Sequence, residues 1–288
     1  MLHVFHHNDP DGKCAAAIVH RHWYKVPNGG WNSDSFRYIE TDYKDPVDTE
    51  ALKMGDTVVI VDYSFKRDVM LKTVEKVGWE NIFWMDHHKT AFEYDYGFIP
   101  KGLRNANFAG CELTWKFLNP DVAIPMGVIL IGDYDIWTHR YGELTENYFL
   151  GIQLYDLSPV NSSWDLNVLN ASDNTIDSIA EQGQICKLFR NNFCRQYIKD
   201  FGFEVEFEGY KCFAVGMYEF GSKVFGYLID EYDLCLSFEY DGKGWQCGVY
   251  SSNSEINCGK IAQKYGGGGH PGAAGFPCKK LPWMKGAE

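Results

Sequence analysis

The chain has 288 residues, 45% hydrophobic and 16% aromatic, enough apolar side chain for a sizeable core in about two domains, which excludes disordered and fibrous classes. Its apolar runs are short and each is followed by an acidic residue, as at 58–61 and 128–131, so none approaches the roughly 20 apolar residues of a membrane-spanning helix. Lys and Arg number 27 against 39 Asp and Glu, a net charge of −12 that disfavours wrapping long duplex nucleic acid but leaves a small anionic substrate open if bound metal reverses the local sign.

The first residues, Met1-Leu-His-Val-Phe-His-His7, carry neither a basic nor a long apolar segment of a secretory signal, so the sequence predicts a soluble, cytoplasmic protein without membrane contact. Residues 2–6 read as a buried strand, and residues 12–23 as a helix with Ala and Ile on one side. Further strands are predicted over 36–41, 57–61 and 81–85, a helix over 67–77, and a strand-like apolar run over 128–131. Strands alternating with helices predict an α/β fold with a parallel sheet, in which ligands bind outside the carboxyl ends of the strands. From Ser172 a long helix is predicted, capped by Asp173, Asn174 or Thr175 and ending near Gly202. Beyond it, residues 203–207, 211–215, 234–240 and 245–250 alternate like strands, the last two joined by the turn Asp241-Gly-Lys-Gly. The predicted organisation is a parallel-sheet domain over 1–150, a helical connector over 151–200 and a smaller α+β domain over 201–288. Nine cysteines without a CxxC pair argue against both a disulfide framework and a thiolate zinc site.

Four places put carboxylates or imidazoles directly after an apolar run: His7-Asn-Asp9-Pro-Asp11-Gly12, Asp62, Asp86-His87-His88, and Asp133-Tyr-Asp135. Capping explains one such Asp readily, and Asp9 or Asp11 can cap the helix that follows; it does not readily explain four clusters. Carboxylates gathered this closely cannot all stay ionised without compensating cations, and Asp with His suits manganese-like divalent ions better than structural zinc. A cation pair of this kind serves phosphate-ester hydrolysis by clamping phosphoryl oxygens and activating water. His3 and His6 read as strand residues, and His20, His22 and His139 as surface or core.

Near the carboxyl end stands Gly266-Gly267-Gly268-Gly269-His270-Pro-Gly-Ala-Ala-Gly. Four consecutive glycines are costly in chain entropy and make sense where the backbone itself approaches a ligand, with amides forming an anion nest and His270 donating to phosphate. The stretch Gly272-Ala-Ala-Gly suggests a helix whose positive end would lie nearby. No G-x-G-x-x-G dinucleotide fingerprint follows the first strand.

Asp86-His87-His88 downstream of His7-Asn-Asp-Pro-Asp-Gly, followed by the glycine run with His270, resembles the DHH-family phosphoesterases with a carboxyl-terminal DHHA1 domain, over nearly the full length. Within that family the chain looks most similar to the short-oligonucleotide exonucleases, the nanoRNases or oligoribonucleases. The resemblance implies that His7, Asp9, Asp11, Asp62, His87 and Asp133, favoured over Asp135, hold two manganese ions, with magnesium or cobalt as substitutes and Asp62 between them. It implies that His88 faces the substrate as a modest general acid and that Gly267, Gly268, Gly269 and His270 hold a terminal phosphate. The expected substrates are short single-stranded RNA or DNA oligonucleotides or dinucleotides. The rivals are 3′-phosphoadenosine 5′-phosphate phosphatase, pyrophosphatase, and a non-catalytic nucleotide or cyclic-dinucleotide sensor. Oligomeric state, with a homodimer among the options, stays open. The chain departs from many relatives in having Phe5 where they carry the first-motif histidine, and Ser251-Ser252 where they carry Arg-Ser. Without that guanidinium, phosphate binding is expected to be weaker or to be supplied by Lys260, Lys264 or Arg195.

Overall fold

A computed structural model describes residues 1–24, 33–43 and 46–284. The chain divides into two units, Met1–Cys186 and Lys187–Glu288.

In the first unit four all-parallel strands, β1 (Leu2–His7), β2 (Phe36–Thr41), β3 (Thr57–Val61) and β4 (Ile82–Met85), lie in the order β2-β1-β3-β4. Their apolar residues bury both faces, as continuous runs in a parallel sheet must. Because side chains alternate, Leu2, Val4, Val59, Val61 and Met85 fall in one core and Phe5, Val58, Ile60, Ile82 and Trp84 in the other. Helix α1 (Pro10–Tyr24) covers the first face with Ala15, Ala16, Ile18 and Val19. Helix α2 (Arg67–Val77) contributes Met70 and Val77 to the second. Helices α3 (Gly110–Leu118), α4 (Met126–Asp135) and α5 (Glu143–Ile152) complete the first layer with Leu113, Val128, Leu130, Ile131 and Tyr148.

Helix α6 (Asp173–Phe201) passes from the first unit into the second, with the Ser172 hydroxyl accepting from the Thr175 amide at its start. Ser172, one residue before the three predicted candidates, is therefore the cap. Ile152, Trp164, Val168, Ile176, Ile179 and Ala180, within the predicted connector, belong to the first core, whereas Cys194, Tyr197 and Ile198 pack with the second unit.

The second unit carries a six-stranded mixed sheet ordered β5 (Phe203–Phe207), β6 (Tyr210–Val215), β7 (Leu234–Tyr240), β8 (Trp245–Tyr250), β10 (Ala273–Cys278) and β9 (Gly268–Gly269), with the short helix α7 (Cys258–Gln263) against it. The fold class expected from the sequence, α/β with a smaller α+β part, is the one observed.

Two predicted elements take another form. Residues 128–131 lie in α4, and the stretch from Gly272 runs into β10. The apolar run of α4 packs against α1, α3 and α5, and a helix buried on most sides has no polar stripe to reveal its period. In the glycine stretch Pro271-Gly272 occupies the centre of a turn, closed by the Ala273 amide donating to the His270 carbonyl at 3.3 Å, with the His270 amide donating back to the Ala273 carbonyl at 2.8 Å. Among the described residues, no helix is long and apolar enough to cross a membrane.

Candidate metal centre

The carboxyl ends of β1, β3 and β4 converge on the start of α1 and the end of α4. The His7 imidazole Nδ1 stands 2.6 Å from Asp9 Oδ2, and the other Asp9 oxygen accepts from the Gly12 amide at 2.8 Å, so Asp9 caps α1 while facing the histidine. Asp11, 1% exposed, accepts from the Gly110 and Cys111 amides at 2.7 and 2.8 Å, which anchors the amino end of α3 to the first loop. Two glycines permit this closeness. A Cβ at Gly12 would lie 2.3 Å from the His7 carbonyl oxygen, and one at Gly110 would lie 2.5 Å from the Asp62 Cβ.

Asp62 follows β3 directly, in the left-handed region at φ 51°, with its amide donating to the Met85 carbonyl at 2.9 Å. Asp tolerates this conformation better than most residues, and the turn aims its carboxylate into the cluster. Asp86, fully buried, is an anchor: Oδ1 accepts from the His87 amide and pairs with His88 Nδ1, both at 2.8 Å, and Oδ2 accepts from the Ser64 hydroxyl. Burial alone would raise the Asp86 carboxyl, but His88 and Ser64 outweigh it and hold it below the usual carboxylate range.

His87 Nε2 lies 3.0 Å from Asp62 Oδ1 and 3.4 Å from Asp135 Oδ2. Three sets of potential ligand atoms each gather within 4.8 Å: His7, Asp9 and Asp62; Asp11, His87 and Asp135; and Asp62, His87 and His88. Of the six expected metal ligands the structure thus brings together His7, Asp9, Asp11, Asp62 and His87, and with them His88. It does not bring Asp133. That carboxylate, fully buried, accepts from the hydroxyls of Thr138 and Thr145 at 2.5 Å each and from the Arg140 amide and Nε at 3.0 and 2.9 Å. Asp135 occupies the place expected of Asp133, because residues two apart on a helix point about 200° away from each other.

Both Asp62 oxygens and Asp135 Oδ2 are buried with no hydrogen-bond partner. Burial, then the charges of Asp11, Asp9 and Asp135, push the Asp62 carboxyl well above its ordinary value; burial and Asp11 do the same to Asp135. Burial lowers His87, keeping a neutral imidazole available, whereas the bond to Asp9 raises His7. Orphaned buried carboxylates beside imidazoles are what divalent cations would satisfy, by displacing protons and neutralising the crowding. The donor set fits that group: His7, Asp9 and Asp62 would hold one ion, and Asp11, His87 and Asp135 a second.

In the second unit the glycine run forms the hairpin edge. Gly268 and Gly269 pair with Gly275 and Ala274, and they and His270 are exposed. A Cβ at Gly267 would lie 2.1 Å from the Gly275 carbonyl oxygen, and Gly269 sits at φ 142° against Ala274, whereas Gly268 faces open space. Ser251 and Ser252 donate their hydroxyls to the Asp233 and Ile229 carbonyls. Lys264 pairs with Glu208, while Arg195 donates to the Asn192 side chain at 3.2 Å.

No protein-family model matches the chain. A protein of Acanthamoeba polyphaga mimivirus, described as uncharacterized, is 24% identical over 296 residues, which takes in 95% of this chain; the chain spans 66% of that relative's length. Among solved structures, the DHH domain of a member of the s1p family of ribosomal proteins matches with a TM-score of 0.53 at 13% identity, covering 95% of this chain and 82% of that one. The exonuclease RecJ bound to manganese matches at 0.50 and 14% identity, over 96% and 85%. RecJ of Thermus thermophilus in complex with Mn2+ matches at 0.50 and 15% identity, over 96% of this chain and 49% of that one. The chain has the fold of these DHH-domain proteins.

Proposed function

We propose that this chain is a manganese-dependent phosphodiesterase that hydrolyses short oligonucleotides or dinucleotides to mononucleotides. The observation that carries the reading is Asp62, whose buried carboxylate faces His87 Nε2 at 3.0 Å and belongs to two of the three Asp/His sets at the carboxyl ends of parallel strands. The manganese bound by RecJ, which has the same fold, supports the choice of ion.

When bound, the two ions would supply Lewis acidity and a nucleophilic water at neutral pH. The protein's own groups do the rest. Asp86 receives His88 Nδ1 and so orients the ring, leaving Nε2 as the nitrogen that can hold a proton for the leaving oxygen. Ser64, donating to the other Asp86 oxygen, keeps that carboxylate from turning. Asp9 and Asp11 hold the starts of α1 and α3 at the cluster through the Gly12, Gly110 and Cys111 amides, which fixes where their carboxylates stand. The exposed hairpin of Gly267, Gly268, Gly269 and His270 is assigned the substrate's terminal phosphate.

Incubating the protein with a labelled dinucleotide, 3′-phosphoadenosine 5′-phosphate and pyrophosphate, each with manganese, magnesium or chelator, tests the proposal. Mononucleotides released from the dinucleotide in manganese and not in chelator are expected. Inorganic phosphate from the bisphosphate or from pyrophosphate alone would move the assignment to the corresponding phosphatase. Nucleotide binding without metal and without turnover would mark a sensor.

A further inference from the structure

The register of β1 and β2 sets Thr41 beside His7, so the loop leaving β2 begins at the edge where the cluster forms. Tyr43 in that loop stacks on Tyr63, ring centroids 4.7 Å apart and planes 28° apart. Its ring lies 5.8 Å from that of His88 and 6.2 Å from that of His7. Tyr63 is buried and meets Phe65 edge-on, which in turn meets Phe5 in the core, so Tyr43 is the outermost member of an aromatic ladder rooted in the sheet. Tyr43 itself is 42% exposed. A phenol is neutral near pH 7. A large apolar ring left to solvent beside a strongly polar cluster, and immobilised from behind, has lost its conformational freedom before any ligand arrives. It contributes nothing to holding a cation and, being neutral, offers a phosphate no charge compensation. Its chemistry matches a flat, neutral π-surface attached to the anion that the cluster would take.

We infer that Tyr43 is a nucleobase shelf: a base one linkage away from the phosphodiester at the Asp62 cluster stacks on its ring, so the site selects nucleotides over base-free phosphates. This inference rests on the phosphodiesterase reading and sharpens its substrate class. Stacking of a base on an aromatic side chain is sequence-tolerant and worth a loss of roughly 5- to 150-fold in binding when the ring is removed.

The test compares a dinucleotide with the same compound made abasic at one residue, using wild type, Tyr43→Ala and Tyr43→Trp in manganese. Tyr43→Ala should raise KM for the dinucleotide by roughly 5- to 150-fold towards the abasic value, and leave kcat and the abasic KM unchanged; Tyr43→Trp should restore the wild-type KM. Equal losses on both compounds, or no change on either, would overturn the shelf while leaving hydrolysis standing. Should wild type cleave neither compound, the phosphodiesterase reading fails, and the Kd of the dinucleotide in calcium decides the shelf separately: weakened by Tyr43→Ala it holds, unmoved it falls.

Discussion

Asp62→Asn is expected to lower turnover by about 10³-fold or more while the metal-free protein becomes more resistant to heat. The two effects share one cause. The carboxylate is 1% exposed, neither oxygen has a hydrogen-bond partner, and Asp9, Asp11, Asp86 and Asp135 add their charges around it. Without cations its ionisation opposes folding. Asn keeps the shape and is among the few residues that tolerate φ 51°, so the variant removes charge and little else. The sign is fixed by the direction of the shift. A carboxyl raised in the folded state contributes its full stability below the ordinary value of 3.8, and loses it as pH rises through the raised value. Thermal melts of wild type in chelator should therefore fall in this range as pH rises, and Asp62→Asn should flatten that fall. Each kcal/mol relieved corresponds to roughly 2–4 °C in Tm for a domain of this size. Wild-type rates from the variant in manganese would remove Asp62 from the reaction.

Asp133→Asn and Asp135→Asn should separate stability from activity in opposite directions. Asp133 accepts from two hydroxyls, the Arg140 and Tyr141 amides and the Arg140 guanidinium. Burial alone would raise its carboxyl, but these donors hold it far below the usual range, so its stabilisation is present above 3.8 and lost as pH falls through the lowered value. Arg140 is 49% exposed and adds little after screening, while the buried hydroxyl donors lose a charged acceptor; the substitution should cost about 2–4 kcal/mol. Asp135→Asn removes a carboxylate with an unpartnered buried oxygen and should leave the melting temperature equal or higher, with turnover down about 10²–10³-fold. Melting curves in chelator and initial rates over a manganese series check both. A stable, inactive Asp133→Asn beside an unstable, active Asp135→Asn would reverse the assignment.

Much of the site is legible in sequence because parallel strands bring their carboxyl ends together whatever their order in the chain. Once residues 2–6, 57–61 and 81–85 read as strands, His7, Asp62 and His87 must be neighbours. The choice at 133 and 135 depends instead on local geometry. Read as the residue nearest a strand end, Asp133 faces the crevice; on helix α4 it turns towards Thr145 of α5, and Asp135 comes round to His87. An apolar run without a polar stripe carries no period to tell the two apart. The helix expected from Gly272 fails for the converse reason, since small residues suit helix and strand alike and Pro271-Gly272 is the stronger signal, for a turn. Asp86 stands in the same motif as His87, and only hydrogen bonding shows that it holds the His87 amide and orients the His88 ring. Tyr43 leaves no trace in any pattern, being one aromatic in a loop whose role depends on what packs behind it.

Metal content per chain, determined by equilibrium dialysis against manganese, tests the central claim most directly. Wild type should hold two ions per chain, and Asp62→Asn should lose at least one of them. A wild-type chain that takes up none at saturation, or a variant that retains both with unchanged affinity, would contradict the account.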